Sequence, residues 1–420
     1  MDKIRIQDDL YHFVNQQWLE NAVIPDDRPT CGGFADLDTD VEKILLSDFA
    51  KFASEGVKNK YLDNATKLYK GILDVKRRKR EGFKPVLKVA KVYDKIVDLK
   101  SLNKKLKDLI LIGAPLPFEL YVDPDMKNTD RYLVNFKGAS TILPDATYYK
   151  EAMAQQKAMM ISLWSQMARA ILMKSGLDEK VIDEYVKDTL AFDELIAKFA
   201  KTSEEWSDYP SAYNPVKGTR MCSLVKPLKL KKLFIEFFEG VPEIVVNNEP
   251  RYFKNFTEIF NENNVIMFKH WSYVKFILSA CPFLSEEDRE LGSTYQRALT
   301  GVNKVSSVDK HAYHVTSRYF SQPIGLYYGE KYFGEEAKKD VVEMVNEIID
   351  AYKERIKNNT FLADDTKKKA ILKLSTMKVK MGYPDKCEEI YDKLVFKSSD
   401  TLYDAVKKIS KIKHTDMLSQ

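Results

Sequence analysis

Apolar residues recur every three or four positions over long stretches of this chain, a spacing that places them on one face of an α-helix. The stretches are bounded by Asp, Ser, Gly or Pro, which commonly begin or end helices. Helices are predicted on this basis for residues 38–53, 61–80, 145–174 and 179–200. The pattern therefore predicts a mainly α-helical fold.

The last third of the chain continues this pattern. Residues 335–357 carry a single apolar stripe, and residues 364–381 repeat it. We expect both segments to be amphipathic helices whose apolar face is directed to a core. The first stripe consists of Val341, Met344, Val345, Ile348, Ile349 and Tyr352.

Short stretches of the chain favour extended structure instead. Residues 118–123 and 131–136 flank a turn-rich segment, which predicts a small β-hairpin, and residues 244–247 are a candidate strand. Candidate boundaries lie near residues 56–59, 207–218 and 301, and none of them has the composition of a flexible linker. We expect interlocked helical lobes.

Length and composition indicate a folded protein with more than one compact unit. The chain has 420 residues, of which 44% are apolar and 31% charged. The 67 Lys and Arg residues nearly balance the 62 Asp and Glu residues, so the net charge is only +5. A charge this small for this length does not imply a nucleic-acid partner.

The termini and the cysteines predict a cytoplasmic protein. The first residues lack the apolar stretch of a signal peptide, and no apolar run approaches the length of a membrane span. The four cysteines lie far apart without a paired spacing, which is typical of free thiols in a reducing compartment. They are Cys31, Cys222, Cys281 and Cys387.

Five histidines limit the search for a metal site. They are His12, His270, His311, His314 and His414. Only His311 and His314 are close in sequence, at a spacing that shares a helix face, but Ala312 stands where a catalytic Glu would follow the first imidazole. No downstream acidic ligand accompanies them, so a structural or surface pair is favoured over metal binding. His12 is interpreted as a packed or surface ring.

Two other charged motifs have a plainer explanation than the function they suggest. Residues 123–125 begin like a calcium loop, but Lys127 stands at the fifth position and Val134 replaces the bidentate Glu, so a hairpin turn is favoured. The basic run 76–80 is interpreted as the exposed carboxyl end of a helix rather than a nucleic-acid site. No GxSxG, GxGxxG or phosphate-binding loop occurs.

The opening segment DDLYHFVNQQWL (8–19), followed by Ile24-Pro25 and GFADL (33–37), resembles the start of neprilysin-family zinc peptidases. Gln16 replaces the Gly that is common there. The resemblance extends through the chain in order, and the segment after Lys201 is similar to bacterial oligopeptidases of the endopeptidase O type. The further motifs are Leu68-Tyr69 with Asp74 and Arg78, Leu143-Pro144-Asp145 with Tyr148-Tyr149, Ser203–Trp206 with Tyr213-Asn214-Pro215, residues 328–333 and residues 381–384.

This resemblance implies the multi-helix lid lobe of a two-lobed peptidase, with one or two small β-hairpins. In that family a helical lid faces a zinc-bearing lobe across a cavity that admits oligopeptides. By analogy, residues 1–56 are expected to pack on the catalytic lobe, residues 57–300 to form the lid and substrate cavity, and residues 301–420 to be connecting helices that lead towards the zinc lobe.

The zinc motif itself does not occur in the 420 residues. A zincin needs HExxH, in which two imidazoles one helical turn apart hold the ion and the Glu polarises water. We therefore assign no catalytic, cofactor-binding or metal-binding residue here, and zinc is implied only for the full-length family enzyme. The first hypothesis is the N-terminal, lid portion of a metalloendopeptidase that hydrolyses oligopeptides, inactive unless a zinc-bearing C-terminal part complements it.

The alternative hypothesis is a non-catalytic peptide-binding or interaction protein derived from a truncated peptidase. Residues 413–420 carry no evident helix stop, which favours truncation over an evolved terminus. Under both hypotheses the expected ligands are oligopeptides. A separate catalytic chain or self-association is a further expectation, and neither nucleic acid nor membrane is expected as a partner.

Overall fold

A computed structural model describes residues 4–395, 397 and 399–419, which are mainly helical and contain one small sheet. The helices are, in chain order, α1 (Leu10–Asn21), α2 (Phe34–Glu55), α3 (Lys60–Leu73), α4 (Val75–Glu81), α5 (Lys84–Ala90), α6 (Leu99–Leu111), α7 (Ala154–Lys174), α8 (Glu179–Ala197), α9 (Ser203–Ser207), α10 (Gly218–Leu224), α11 (Leu230–Phe238), α12 (Pro250–Lys254), α13 (Phe256–Ile259), α14 (Val265–Ala280), α15 (Glu286–Gly292), α16 (Thr294–Thr300), α17 (Val308–Tyr319), α18 (Ser321–Tyr328), α19 (Gly334–Lys357), α20 (Asp364–Ser375), α21 (Ile390–Lys393) and α22 (Leu402–Leu418). Short 3₁₀ turns lie at Tyr93–Lys95, Ala146–Tyr149, Glu151–Met153, Tyr209–Ala212, Glu262–Asn264 and Cys281–Phe283, and a π-helical turn at Gly329–Phe333.

The predicted helices are confirmed in α2, α8, α19 and α20, although α20 ends at Ser375, before the predicted end at residue 381. Two other predictions joined elements that are separate. The segment 61–80 is divided at Asp74, which has non-helical backbone angles and accepts a hydrogen bond from the Arg77 N–H to begin α4. The segment 145–174 begins with two 3₁₀ turns and becomes α-helical only at Ala154. In both cases local capping and turn chemistry override the apolar spacing.

The predicted hairpin and the strand at 244–247 are confirmed, and they belong to a single sheet. Strand β1 (Phe118–Asp125) pairs antiparallel with β2 (Asn128–Gly138). Strand β4 (Ile244–Asn247) pairs parallel with β2 and antiparallel with β3 (Pro215–Lys217), which gives the order β1-β2-β4-β3. Strand β3 was not predicted, because three residues that begin with Pro carry no alternation.

The chain divides into two compact units. The first unit comprises Met1–Asp40, Gly71–Val308 and Phe396–Gln420. Its core surrounds α14, a helix that is apolar on nearly all sides and packs closely on α8. The inner strand residues Val134, Phe136 and Val245 join this core, and α22 packs on α5, α6 and β1.

The second unit comprises Val41–Lys70 and Asp309–Val395. Its core contains Phe49 and Tyr69, whose rings lie 5.1 Å apart. The buried Asp48 accepts hydrogen bonds from the Tyr332 hydroxyl at 2.7 Å and from Lys331 Nζ at 3.0 Å. The division into segments 1–56, 57–300 and 301–420 stays a prediction.

The prediction that α19 and α20 face a core is wrong for the described part of the chain, because neither helix has a buried residue. In α19, Met344, Ile348 and Tyr352 are 59%, 48% and 58% exposed. These three side chains are spaced four residues apart and so share one face. We call them the α19 apolar face.

None of the helices in the described ranges combines the length and the hydropathy that crossing a lipid bilayer requires.

Candidate functional site

A cavity of about 670 Å³ lies beside the end of strand β2 in the first unit. Its volume falls in the range of small-ligand and peptide pockets, roughly 300–1,000 Å³. The wall is formed by the end of β2 and the loop that follows it, by the segment around α9, and by α16. The lining residues include Lys137, Gly138, Ser140, Ile142, Asp145, Lys201, Ser203, Trp206, Glu249 and Tyr295.

A buried carboxylate holds the loop that follows β2. Asp193 of α8 is 1% exposed, and its oxygens accept hydrogen bonds from the Ile142 N–H at 3.1 and 3.0 Å and from the Trp271 indole N–H at 3.3 Å. The Tyr149 hydroxyl donates to the same carboxylate. Burial raises the pKa of Asp193, against the effect of these donors. The carboxylate therefore fixes the cavity wall from the core side.

Lys275 of α14 holds the same loop from a second direction. Its Nζ donates to the Ser140 carbonyl at 2.7 Å and lies 4.6 Å from the Trp271 ring centroid. Burial lowers the pKa of Lys275, while the charge of Asp193 opposes that shift. The hydroxyl of Tyr295 adds a hydrogen bond to the Ile142 carbonyl at 3.1 Å. Main-chain groups of the loop are thus bound on both sides.

Glu249 joins two further parts of the wall. It is 3% exposed, and its two oxygens accept from the Gly138 N–H at 2.6 Å and from the Lys201 N–H at 2.9 Å. Burial raises the pKa of Glu249, and the two N–H donors oppose that shift. A Cβ at Gly138 would stand 2.7 Å from Glu249 Oε2 and 2.9 Å from the Tyr252 ring, so the close approach requires glycine.

The cavity also brings two sequence motifs together. Asp145, from the Leu143-Pro144-Asp145 motif, accepts hydrogen bonds from the Ser203 hydroxyl at 2.6 Å and from the Thr147 N–H at 2.7 Å. Burial would raise the pKa of Asp145, but the bonds from Ser203 and Thr147 lower it to about 2. Residues 143–145 and 203–206 therefore form one wall, which the sequence resemblance did not reveal.

An aromatic and cationic edge completes the cavity. The Nζ atoms of Lys201 and Lys137 lie 4.7 and 5.2 Å from the Trp206 ring centroid. The carboxylates of Asp145 and Glu249 are occupied by the donors named above. The cavity therefore presents an aromatic ring, two ammonium groups and main-chain polar groups to a ligand.

The structure places the histidines in separate settings. His314 Nε2 lies 2.7 Å from the buried carboxylate of Glu42 in the second unit, and Lys310 Nζ lies 3.4 Å from the same group. His12 Nδ1 lies 2.7 Å from Asp9, the residue that begins α1. The half-buried His414 has a buried Nε2 without a hydrogen-bond partner in the described part of the chain.

The structure also shows the surroundings of the two charged motifs, residues 123–125 and residues 76–80. Asp125 lies in the predicted hairpin, and its carboxylate accepts from the Tyr213 hydroxyl and from Arg131 Nε, each at 2.7 Å. The bond from Tyr213 is the main reason that the pKa of Asp125 falls to about 2. The interpretation of residues 76–80 as one exposed basic run is wrong at Arg78, which is 2% exposed and lies 2.6 Å from Glu286.

Sequence reasoning missed Asp193, Glu249 and Lys275. One signal was present: Asp193 stands on the buried stripe of α8, four residues after Thr189, where a charged side chain needs a buried partner. Glu249 and Lys275 carry no such signal, because their partners are main-chain groups far away in sequence.

Comparison with known proteins gives consistent matches along the chain. The model for the N-terminal part of peptidase family M13 matches residues 6–384. The neutral endopeptidase of Lactococcus lactis subsp. lactis is 37% identical over 405 residues, which are 96% of this chain and 64% of that protein. The neutral endopeptidase of Lactobacillus helveticus is 35% identical over 99% of this chain and 64% of its own length.

Solved structures show the same fold. PEPO from Lactobacillus rhamnosis superposes with a TM-score of 0.93 at 31% identity, covering 99% of this chain and 66% of that one. The zinc metalloprotease ZMP1 of Mycobacterium tuberculosis gives a TM-score of 0.88 at 23% identity, which shows likeness of fold. The chain thus spans slightly less than two thirds of the length of these proteins.

Proposed function

Because this chain belongs to peptidase family M13, we propose that it forms the lid and substrate-cavity part of a zinc-dependent metalloendopeptidase that hydrolyses oligopeptides. Its relatives are neutral endopeptidases, and they extend beyond the part that this chain matches. Within that enzyme, we propose that this chain binds and encloses the peptide.

The cavity is the observation that carries this proposal. Its wall is held by Asp193, Lys275 and Glu249, so that it is formed before a ligand arrives. Trp206 and its two lysine neighbours supply the apolar surface and positive charge that suit a peptide backbone and an acidic end group.

The residues of this chain do not fit the zinc site of the family. Within the described ranges, Glu184, Asp188 and His270 are the one group of three ligand-type side chains close enough to share an ion, and it contains a single imidazole. A HExxH site needs two. We therefore derive no hydrolytic step from this chain and assign the zinc ligands of the proposed enzyme to residues outside it.

The partner that we propose is the zinc-bearing part of the same enzyme. The α19 apolar face is one surface that supports this, and α1 exposes a second apolar set that includes Leu10, Val14 and Trp18, which are 59%, 66% and 44% exposed. Apolar surfaces of this kind are usually covered by a partner.

We retain the cytoplasm as the proposed compartment. All four cysteines are free thiols in the structure, and Cys281 is buried. Free thiols are typical of proteins in a reducing compartment.

Two experiments test the proposal. The DNA that follows the Gln420 codon is sequenced first, and an in-frame or adjacent segment with HExxH and a downstream Glu ligand is expected. The 420-residue chain is then assayed on a fluorogenic oligopeptide with zinc, alone and together with that segment. Activity only in the mixture supports the proposal, whereas hydrolysis by the chain alone or the lack of any such segment contradicts it.

Peptide binding without hydrolysis is the second candidate, because the cavity wall needs no metal. Calorimetric titration of the chain with short peptides tests it. Trp206→Ala should weaken binding by about tenfold, the loss expected for about 1.4 kcal/mol. Tyr209→Ala is the control, since Tyr209 is 74% exposed and does not line the cavity. If both variants bind the peptides with equal affinity, the cavity is not the peptide-binding site in either proposed function.

A further inference from the structure

Two carboxylates and one imidazole converge between helices α8 and α14 of the first unit. Glu184 and Asp188 lie four residues apart and so share a face of α8, and His270 projects from α14. His270 Nδ1 lies 2.6 Å from Asp188 Oδ2. One ligand atom from each of the three side chains lies within 4.8 Å of the others.

The imidazole of this group is fixed in place. His270 is 4% exposed, and its ring stacks on Tyr185 with 3.9 Å between the ring centroids and 20° between the planes. Asp188 and Nδ1 share a hydrogen bond, and a cation bound by both groups would displace its proton. A ring that is already oriented by stacking loses little freedom when it binds an ion.

The two carboxylates of the group form no ion pair with a Lys or Arg side chain within the described ranges. Glu184 makes neither a hydrogen bond nor an ion pair within the described ranges, and Asp188 has only the imidazole as its partner. Two carboxylates beside a buried imidazole form an environment that a divalent cation would neutralise.

We propose that Glu184, Asp188 and His270 bind one divalent transition-metal cation, with Zn²⁺ as the best fit. An imidazole ligand favours zinc and its neighbours over calcium and magnesium, which prefer oxygen ligands alone. Zinc is bound at about 2.0–2.2 Å by nitrogen and carboxylate oxygen, so the three ligand atoms must move closer together than 4.8 Å. The exposed side chain of Glu184 is free to make that movement.

Binding there would join α8 to α14, two closely packed helices at the centre of the first unit. The proposal concerns the stability of this unit, and it holds whether or not the chain takes part in peptide hydrolysis. The ion would act as a cross-link between the helices, and water would complete its coordination.

The test uses the whole 420-residue chain after dialysis against a chelator. Calorimetric titration with ZnCl₂ is expected to give one site per chain, and the thermal unfolding midpoint should rise by about 2–4 °C at a free zinc concentration about 100 times Kd. CaCl₂ at the same concentration should leave the midpoint unchanged. A chain that binds no zinc, or that responds equally to calcium, overturns the proposal.

Single variants locate the ion. Glu184→Gln keeps the shape of an exposed side chain and should weaken zinc binding by about tenfold or more. Glu179→Gln, which removes another exposed carboxylate from the first turn of α8, should leave zinc affinity unchanged. Asp188→Asn should weaken binding at least as much as Glu184→Gln.

Zinc could also bind to the free thiols or to the other histidines, and the variants separate these cases. Unchanged affinity in both Glu184→Gln and Asp188→Asn would place the ion elsewhere and overturn the proposal. Anomalous diffraction at the zinc edge provides an independent readout, with a peak expected between α8 and α14. A zinc peak elsewhere, with no peak between α8 and α14, would also overturn the proposal.

Discussion

Buried charged side chains around the cavity bind main-chain groups rather than one another. Glu249 holds the Gly138 and Lys201 N–H groups, and Asp193 holds the Ile142 N–H. A carboxylate that accepts from main-chain donors keeps a loop in one conformation, and the loss of either partner leaves a buried polar group unsatisfied. Even a small change of side chain at these positions should therefore lower the free energy of unfolding.

Gly138→Ala should destabilise the chain by about 1–3 kcal/mol, the usual cost of overpacking a filled site. The added Cβ would meet Glu249 Oε2 at 2.7 Å and displace the carboxylate from two main-chain donors. Urea unfolding measures the change. Gly240→Ala is the matched control, because nothing lies within 4 Å of the added methyl group. If the two variants unfold at the same urea concentration, the close approach at Gly138 is not a constraint.

Asp145 should make stability depend on pH in the acid range. Its pKa is about 2 in the folded chain, compared with about 3.9 when unfolded, so the unfolded state binds protons first as the pH falls. Its contribution is fully present above about pH 4 and is lost as the pH falls towards about 2. Asp145→Asn should therefore show a smaller loss of stability between pH 5 and 3, as measured by urea midpoints.

Asp178→Asn is the control for this pH series, because the Asp178 side chain makes no capping hydrogen bond. Asp125 and Glu205, whose pKa values also fall to about 2, keep part of the acid dependence in either variant. An Asp145→Asn chain with the same pH profile as the original would refute the assigned role of Asp145.

At the scale of elements, helix caps and turns determine where a segment with helical apolar spacing stops forming a helix. The basic run 76–80 illustrates the consequence, because the break at Asp74 sets the direction of α4 and turns Arg78 into the core of the first unit. Arg78 donates to the Leu284 carbonyl at 2.5 Å and to Glu286 at 2.6 Å. One arginine thus joins α4 to α15.

Arg78→Met should cost about 3 kcal/mol, the lower end of the range for a broken buried ion pair, because Glu286 retains Arg289 as a partner. Arg80→Met, an exposed change in the same helix, should stay within about 0.5 kcal/mol of the original. The free energy of unfolding in urea distinguishes them. Similar values for both would mean that Arg78 does not anchor the helix.

At the scale of the whole molecule, the two units differ in how completely their helices are covered. The first unit surrounds α14 on nearly all sides, whereas α19 in the second unit has no buried residue. The M13 relatives contain a further third of chain that this sequence does not match. Under the proposed function that further part is what covers the α19 apolar face.

Ile348→Glu should weaken association through this face by about tenfold or more, because a buried interface would then contain an unpaired carboxylate. Sedimentation velocity of the chain alone, and with the zinc-bearing segment, measures the effect. Stability of the chain itself should not change, since Ile348 is 48% exposed. Glu347→Gln serves as the control, and a partner that binds Ile348→Glu normally would exclude this face as the interface.

The helical class, the hairpin and the family membership could be read from local patterns and ordered motifs, because they depend on neighbours in sequence and on residues such as 143–145 that resemble known segments. Three features could not be read from the sequence in this way: the contact between residues 143–145 and 203–206, the buried position of Arg78, and the grouping of His270 with Asp188. Each depends on a partner distant in the chain, and only tertiary packing brings such partners together. The exposure of α19 has the same origin, since an amphipathic stripe predicts that a helix needs cover but does not determine which part of a protein provides it.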